Sequence, residues 1–283
     1  MWSMAVVFVC GALFALTLVG VARWRDEVFA APAAPEAEDG PRARARHYLW
    51  WLQVAVATAL LCGLLVMGVG GRLAMRLLGA TAGDAAQGRI TEANEVVGEI
   101  TVGGTIGFVI FIGLLSGLVM TTLWFAVRRC LPERWIGGLL FGAGLLVVFG
   151  TRMEPLRPGN EDFDLVGPWW LAVAAFSALA LAFGVSLAAV SARLSRWLPL
   201  IGRDRRSLAY GSLLVLVVLF PFGIAALVGG VAYVYGGRVV ERVRSLLTGP
   251  TALRVAHLAI GAVVLVAAPG FVLAIGDLVG RGP

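Results

Sequence analysis

The sequence predicts an all-α integral membrane protein: a bundle of about seven transmembrane helices with one interfacial amphipathic helix. Of its 283 residues, 59% are hydrophobic and only 14% are charged, whereas a soluble domain carries about 25% charged residues. The mean hydropathy is +0.89, and several apolar runs reach the roughly 20 residues needed to cross a bilayer. These observations exclude a soluble domain.

Residues 1–25 are predicted to form an N-terminal membrane anchor helix. Their apolar run, 5–21, is followed by Arg23 and Arg25 and has no basic residue before it. A signal peptide has the opposite order, so the pattern favours a retained helix with its N-terminus outside the cell. Residues 26–47 are rich in Ala, Pro, Glu and Arg, which is typical of a flexible linker.

The rest of the chain, 48–283, is predicted to be a polytopic helical bundle. All basic residues are arginines, and with the N-terminus outside most of them fall in cytoplasmic loops, as the positive-inside rule requires. The sequence predicts six further spans, at about 48–71, 103–127, 136–150, 168–190, 208–235 and 255–275.

The run 208–235 is long for one crossing and carries Pro221-Phe222-Gly223 near its middle. It is therefore predicted to be kinked, tilted or re-entrant, and a re-entrant segment would place the C-terminus outside. The next residues, 238–248, alternate apolar and polar side chains at helical spacing and predict the interfacial helix. With seven straight crossings, four arginines of this region would lie outside, against the positive-inside rule: Arg238, Arg242, Arg244 and Arg254.

Small residues four apart predict close helix packing. Four such rows occur: Gly103 with Gly107, Gly113 with Gly117, Gly138 with Gly142, and Ala180, Gly184 and Ala188. Tryptophans near the predicted span ends indicate an aromatic belt at headgroup level: Trp24, Trp50, Trp51, Trp135, Trp169, Trp170 and Trp197.

Several activities are excluded by the residues that the chain lacks. The central parts of the spans hold no Asp, Glu, Arg or His, which argues against proton-coupled transport and voltage sensing. Without lysine there is no retinal Schiff base. His47, His257 and the three cysteines have no metal-ligand spacing, so we expect no cofactor, no metal site and no catalytic residue. The arginines flank spans rather than forming one patch, so no nucleic-acid partner is expected.

One polar cluster remains, on the predicted outer side. Arg72 and Arg76 lie four apart and share a helix face. Together with carboxylates of two outer loops they could bind a lipid headgroup, a small ligand or a divalent cation. In the structural alternative the arginines pair with the carboxylates and fasten the loops across the bundle. The candidate residues are Arg72, Arg76, Glu92, Glu95, Glu99, Asp162 and Asp164.

Four strings of the chain resemble a family of uncharacterised multi-pass membrane proteins from GC-rich bacteria. They are GRLAMRLLG (71–79), GEITVGGTIG (98–107), RRCLP (128–132) and DFDLVGP (162–168). The resemblance covers residues 71–199 and implies a bacterial multi-pass membrane protein. The family has no assigned activity, so the resemblance adds no function.

The sequence favours a non-enzymatic accessory or scaffold component of the bacterial inner membrane. Its outer Arg and carboxylate surface would contact a lipid headgroup or a protein partner, and the protein could form homo-oligomers. One alternative is a permease or channel for a small neutral or lipophilic solute. Another is a lipid-modifying enzyme at the outer leaflet, with Glu99, Asp162 or Asp164 as the base and Arg72 or Arg76 holding a phosphate.

Overall fold

The computed structural model describes residues 2–35, 40–90, 96–98, 101–151, 167–202 and 205–280. Over this part of the chain the fold is almost entirely helical. The α-helices are α1 (Trp2–Trp24), α2 (Gly40–Cys62), α3 (Gly71–Thr81), α4 (Val102–Phe108), α5 (Leu115–Val127), α6 (Arg134–Phe149), α7 (Trp169–Trp197), α8 (Val215–Val218), α9 (Phe220–Tyr235), α10 (Gly237–Thr248) and α11 (Pro250–Gly280).

Among the described residues, five continuous helices are long and apolar enough to cross a membrane. They are Met4–Trp24, Gly40–Thr81, Val102–Cys130, Trp169–Trp197 and Pro250–Asp277. Helix α6 is apolar but has only 16 residues, and the run 208–235 is broken. The fold is thus a helical bundle with the composition of a membrane protein.

The structure differs from the predicted linker boundary before the second span. Helix α2 begins at Gly40, so the last third of the predicted linker 26–47 is helical. At its other end the helix continues past residue 71, because the π-helical segment Gly63–Gly70 leads straight into α3. Gly70 and Gly71 keep helical backbone angles, and the side chains of Phe14 and Phe108 pack against them.

The run 208–235 bends by 118° between Leu208–Val218 and Phe220–Tyr235. At the junction Leu219 leaves the helical conformation, with φ −94° and ψ 64°. Pro221 follows in the first turn of α9, where its missing N–H costs no hydrogen bond. The break is thus placed by the proline that the sequence shows.

The chain just before this broken segment and the chain at its end both lie beside the same turn of α2. The Arg46 side chain donates from Nε to the carbonyl of Ile201, at 2.8 Å. Arg44 donates from a guanidinium nitrogen to the carbonyl of Val234, at 3.3 Å. Chain that leaves this level of α2 at Ile201 has therefore come back to it at Val234.

Between those ends the segment reaches further along α2. Gln53, about two turns beyond Arg46, donates from Nε2 to the carbonyl of Ala209 at 2.7 Å. On the way back, the Tyr48 hydroxyl donates to the carbonyl of Ala226 at 2.5 Å. The segment is therefore a helical hairpin packed on α2, with its bend at Leu219.

Glycine contacts hold the centre of the bundle. A Cβ built on Gly117 would lie 2.7 Å from the Cα of Gly63, and one on Gly142 would lie 2.5 Å from the carbonyl oxygen of Ala180. The predicted small-residue rows of α5, α6 and α7 are thus confirmed as contact sites. The row of Gly103 and Gly107 is not, because neither residue has a neighbour within 4 Å of an added Cβ.

We predict that Gly142→Ala destabilises the folded protein by about 1–3 kcal/mol, the usual cost of overpacking a close contact. The matched control is Gly144→Ala on the same helix, where nothing lies within 4 Å of the added Cβ; it should leave stability unchanged or raise it slightly. Reversible unfolding in mixed micelles measures both variants. Equal stabilities would contradict the packing that we describe.

Candidate functional site

The first predicted site residue, Arg72, joins α3 to α4. Its Nε donates to the hydroxyl of Thr105 at 3.3 Å, and that hydroxyl donates in turn to the carbonyl of Thr101 at 2.9 Å. Thr105 is buried, with 5% of its surface exposed. Arg72 therefore helps to tie the beginning of α4 to α3.

Arg76, one turn further along α3, binds the loop that precedes α4. It donates to the carbonyl of Gly98 at 3.3 Å. Gly98 has φ +90°, a left-handed conformation that favours glycine. Beside it, Gln87 donates from Nε2 to the carbonyl of Gly79 at 3.0 Å, so two side chains hold this loop against the last turns of α3.

The loop before α7 also ends at α3. Gly167, at φ +67°, lies so close that an added Cβ would be 2.9 Å from the hydroxyl oxygen of Thr81 and 3.2 Å from the carbonyl oxygen of Leu78. The described ends of the two loops that were predicted to lie outside thus meet the C-terminal turns of α3. Its five carboxylates lie outside the described residues: Glu92, Glu95, Glu99, Asp162 and Asp164.

A second polar cluster, at the opposite end of the bundle, was not predicted as a site. The chain that leaves α1 is fastened there by three hydrogen bonds between residues distant in sequence. Trp135 donates its backbone N–H to the carbonyl of Arg25 at 3.1 Å. Arg196 donates to the carbonyl of Val28 at 2.9 Å, and the N–H of Ala30 donates to the Ser195 hydroxyl at 2.9 Å. The first residues of the predicted linker are therefore bound to the bundle.

Phe29 is the centre of this cluster. Its ring stacks on Trp51, with centroids 5.2 Å apart, and meets Phe125 edge to face at 5.9 Å. The guanidinium of Arg128 lies over the Phe29 ring, 3.6 Å from its centroid. Trp51 and Phe125 also lie within 6 Å of that guanidinium, a distance at which cations are attracted to aromatic rings. We call Phe29, Trp51, Phe125 and Arg128 the Arg128 cage.

Trp50, one of the predicted headgroup-level tryptophans, is buried against the residue that follows α7. It is only 1% exposed, and its Nε1 donates to the carbonyl of Leu198 at 2.8 Å. Its neighbour Trp51 belongs to the Arg128 cage. The adjacent pairs Trp50-Trp51 and Arg128-Arg129 are the only sequence signal of this cluster, and both also fit an ordinary helix end at a membrane surface.

A histidine–tyrosine pair holds the hairpin to α2. The hydroxyl oxygen of Tyr233 on α9 lies 2.9 Å from Nδ1 of His47. The two rings stack with centroids 5.9 Å apart. His47 is buried, with 7% of its surface exposed. The pair is a contact between helices α2 and α9.

Among the described residues, no group of three His, Cys, Asp or Glu side chains could hold a metal ion. Cys10 and Cys62 are buried and Cys130 is half-buried. The chain matches no protein-family model, no curated protein and no solved structure. The family resemblance of its four strings stays a prediction.

We predict that Arg76→Ala loosens residues 83–90 and 96–98 by removing the donor to the Gly98 carbonyl. Hydrogen bonds from charged groups contribute about 1.5–3 kcal/mol, so amide exchange in this loop should become roughly tenfold faster or more. Hydrogen–deuterium exchange with mass spectrometry measures it. The control is Arg89→Ala, at an exposed side chain of the same loop, and equal exchange in both variants would refute the role given to Arg76.

Proposed function

We propose that this protein is a non-enzymatic accessory or scaffold component of a bacterial inner membrane. The observation that carries the proposal is the closed centre of the bundle. Between α2 and α5, and between α6 and α7, glycines bring helix backbones into direct contact. Backbones that touch leave no width for a solute between those helices.

Polar side chains inside the bundle also fit a scaffold. Thr58 is fully buried and donates to the carbonyl of Val54 on its own helix. Trp124 donates from Nε1 to the Ser191 hydroxyl at 3.3 Å and so links α5 to α7. These bonds satisfy Thr58 and Trp124 within the bundle, and the second one stabilises a contact between helices.

The hairpin 208–235 offers little support to the permease alternative. Broken helices line substrate sites in transporters where protein surrounds them. Here the side chains at the bend point away from the bundle: Val217, Val218 and Phe220 are 74%, 79% and 67% exposed. An apolar bend of this kind suits contact with lipid or with a partner's helix.

A partner or a second copy has accessible helices to contact. The apolar windows of α1 and α11 are each only 11% buried within the chain. Outer contacts to a partner or a lipid headgroup would involve the face around Arg72 and Arg76. Both arginines already hold loop backbone or side chains, which argues against the lipid-enzyme alternative that needs them for a phosphate.

We further propose six membrane crossings and one re-entrant hairpin, with both termini outside. Because the hairpin returns to the Arg44–Arg46 level of α2, helix α10 would lie at the cytoplasmic interface. His257, near the start of α11, contacts the carbonyl of Cys130 at 2.8 Å. Cys130 follows a span that ends in the cytoplasm in this topology, so the contact supports a cytoplasmic start of α11. Arg238, Arg242, Arg244 and Arg254 then obey the positive-inside rule.

Cysteine labelling tests this topology. In a background with the native cysteines replaced by serine, Arg242→Cys should react only with reagent supplied to the cytoplasmic side. Asp277→Cys should react only from outside, because α11 crosses once between them. Both positions are exposed. Labelling of Arg242→Cys from outside would restore seven crossings and remove the re-entrant hairpin.

Native mass spectrometry of the protein from mild detergent tests the scaffold role. We expect a homo-oligomer or a stoichiometric protein partner, and no solute flux from proteoliposomes that hold the same sample. A monomer without a partner that releases trapped neutral solutes would overturn the proposal in favour of a permease. Turnover of an outer-leaflet lipid by the purified protein would overturn it in favour of an enzyme.

A further inference from the structure

The Arg128 cage holds a cation that its protein surroundings do not neutralise. Among the described residues, no carboxylate lies within ion-pair distance of Arg128 and no acceptor receives a hydrogen bond from its guanidinium. The two acidic side chains of the neighbouring segment are engaged elsewhere: Asp26 pairs with Arg25 at 3.4 Å, and Glu27 pairs with Arg193 at 3.3 Å.

The geometry of the cage leaves a defined part of this cation available. A guanidinium carries its N–H donors on three nitrogens, and the central carbon of this one lies 3.6 Å from the centroid of Phe29. Because no acceptor among the described residues receives these donors, they are available to a ligand. A partly buried guanidinium with unused donors is costly unless an acceptor meets it, and Arg129, exposed and next in the chain, adds a second positive charge.

A lipid-facing stripe of α5 leads to these two arginines. Leu115 and Val119 are 40% and 48% exposed, and Thr122 and Ala126 continue the same face at helical spacing. One further step of that spacing reaches Arg129. Acyl chains lying along the stripe would bring a headgroup to the arginines at its end.

We propose that Arg128 and Arg129 form a binding site for the phosphate of an anionic phospholipid, with its acyl chains along the exposed stripe of α5. Phosphate suits the site because its oxygens match the paired donors of a guanidinium fork. Basic pockets at the ends of membrane helices bind anionic headgroups by this chemistry. The site lies at the other end of the bundle from Arg72 and Arg76, and it depends only on the placement of the chain in a membrane.

Lipid titration of delipidated protein tests the site, with native mass spectrometry to count bound molecules. The probes are dioctanoyl phosphatidylglycerol and dioctanoyl phosphatidylcholine. The protein should bind phosphatidylglycerol in preference, and Arg128→Gln should weaken that binding about tenfold, the effect of losing a charge-assisted hydrogen bond. Arg128→Lys keeps the positive charge but loses the paired donors of the guanidinium, so its affinity for phosphatidylglycerol should lie between those of the wild type and Arg128→Gln.

The matched control is Arg42→Gln, which removes one exposed arginine charge at the beginning of α2. It should leave phosphatidylglycerol binding unchanged. Equal losses in Arg42→Gln and Arg128→Gln would overturn the proposal, because they would mean attraction to net charge alone. If Arg128→Gln does not fold, Arg129→Gln makes the same comparison at an exposed position, where an unaltered affinity would also overturn it.

Inorganic phosphate separates the two sources of this chemistry. Acyl chains should contribute to the affinity through the α5 stripe, so millimolar phosphate should not displace the lipid. Full displacement would identify a site for a soluble phosphate compound and overturn the lipid assignment. Solute flux from proteoliposomes would overturn the scaffold proposal, but it would not change the expected binding of phosphatidylglycerol at Arg128 and Arg129.

Discussion

Direct contact between helix backbones at glycines is the constraint on which the rest of this structure depends. In a bilayer the hydrophobic effect does not drive one helix against another, so association relies on close van der Waals packing. Gly63 against Gly113 and Gly117, and Gly138 and Gly142 against α7, supply that packing. The same contacts exclude larger side chains, close the centre of the bundle and fix where α2, α5, α6 and α7 can lie.

Around this centre, the two ends of the bundle are secured differently. At one end Arg72 and Arg76 hold the beginning of α4 and the loop before it to α3. At the other, the chain leaving α1 lies among α2 and the ends of α5, α6 and α7, with Phe29 beside the Arg128 guanidinium. The hairpin 208–235 then packs on α2 through polar side chains, so the C-terminal region depends on a helix that the glycine contacts have already positioned.

Composition and periodicity were enough to predict a helical membrane bundle, the helix contacts at three of the four small-residue rows and the break at Pro221. They failed where a tertiary contact overrides a local signal. The linker composition of residues 26–47 gave no sign that Phe29 would enter a cage. No periodic pattern predicts the Arg128 cage, because the cage joins residues that are far apart in the chain.

The native cysteine Cys62 gives the most direct test of the closed bundle. It precedes Gly63 at the contact of α2 with α5 and is 1% exposed, whereas Cys130 is half-buried at the end of α5. Thiol reagents react with accessible thiolates. With a charged methanethiosulfonate supplied to both sides of the membrane, Cys130 should be modified and Cys62 should not. Modification of Cys62 at a rate near that of Cys130 would mean that water enters between α2 and α5, and it would contradict the account.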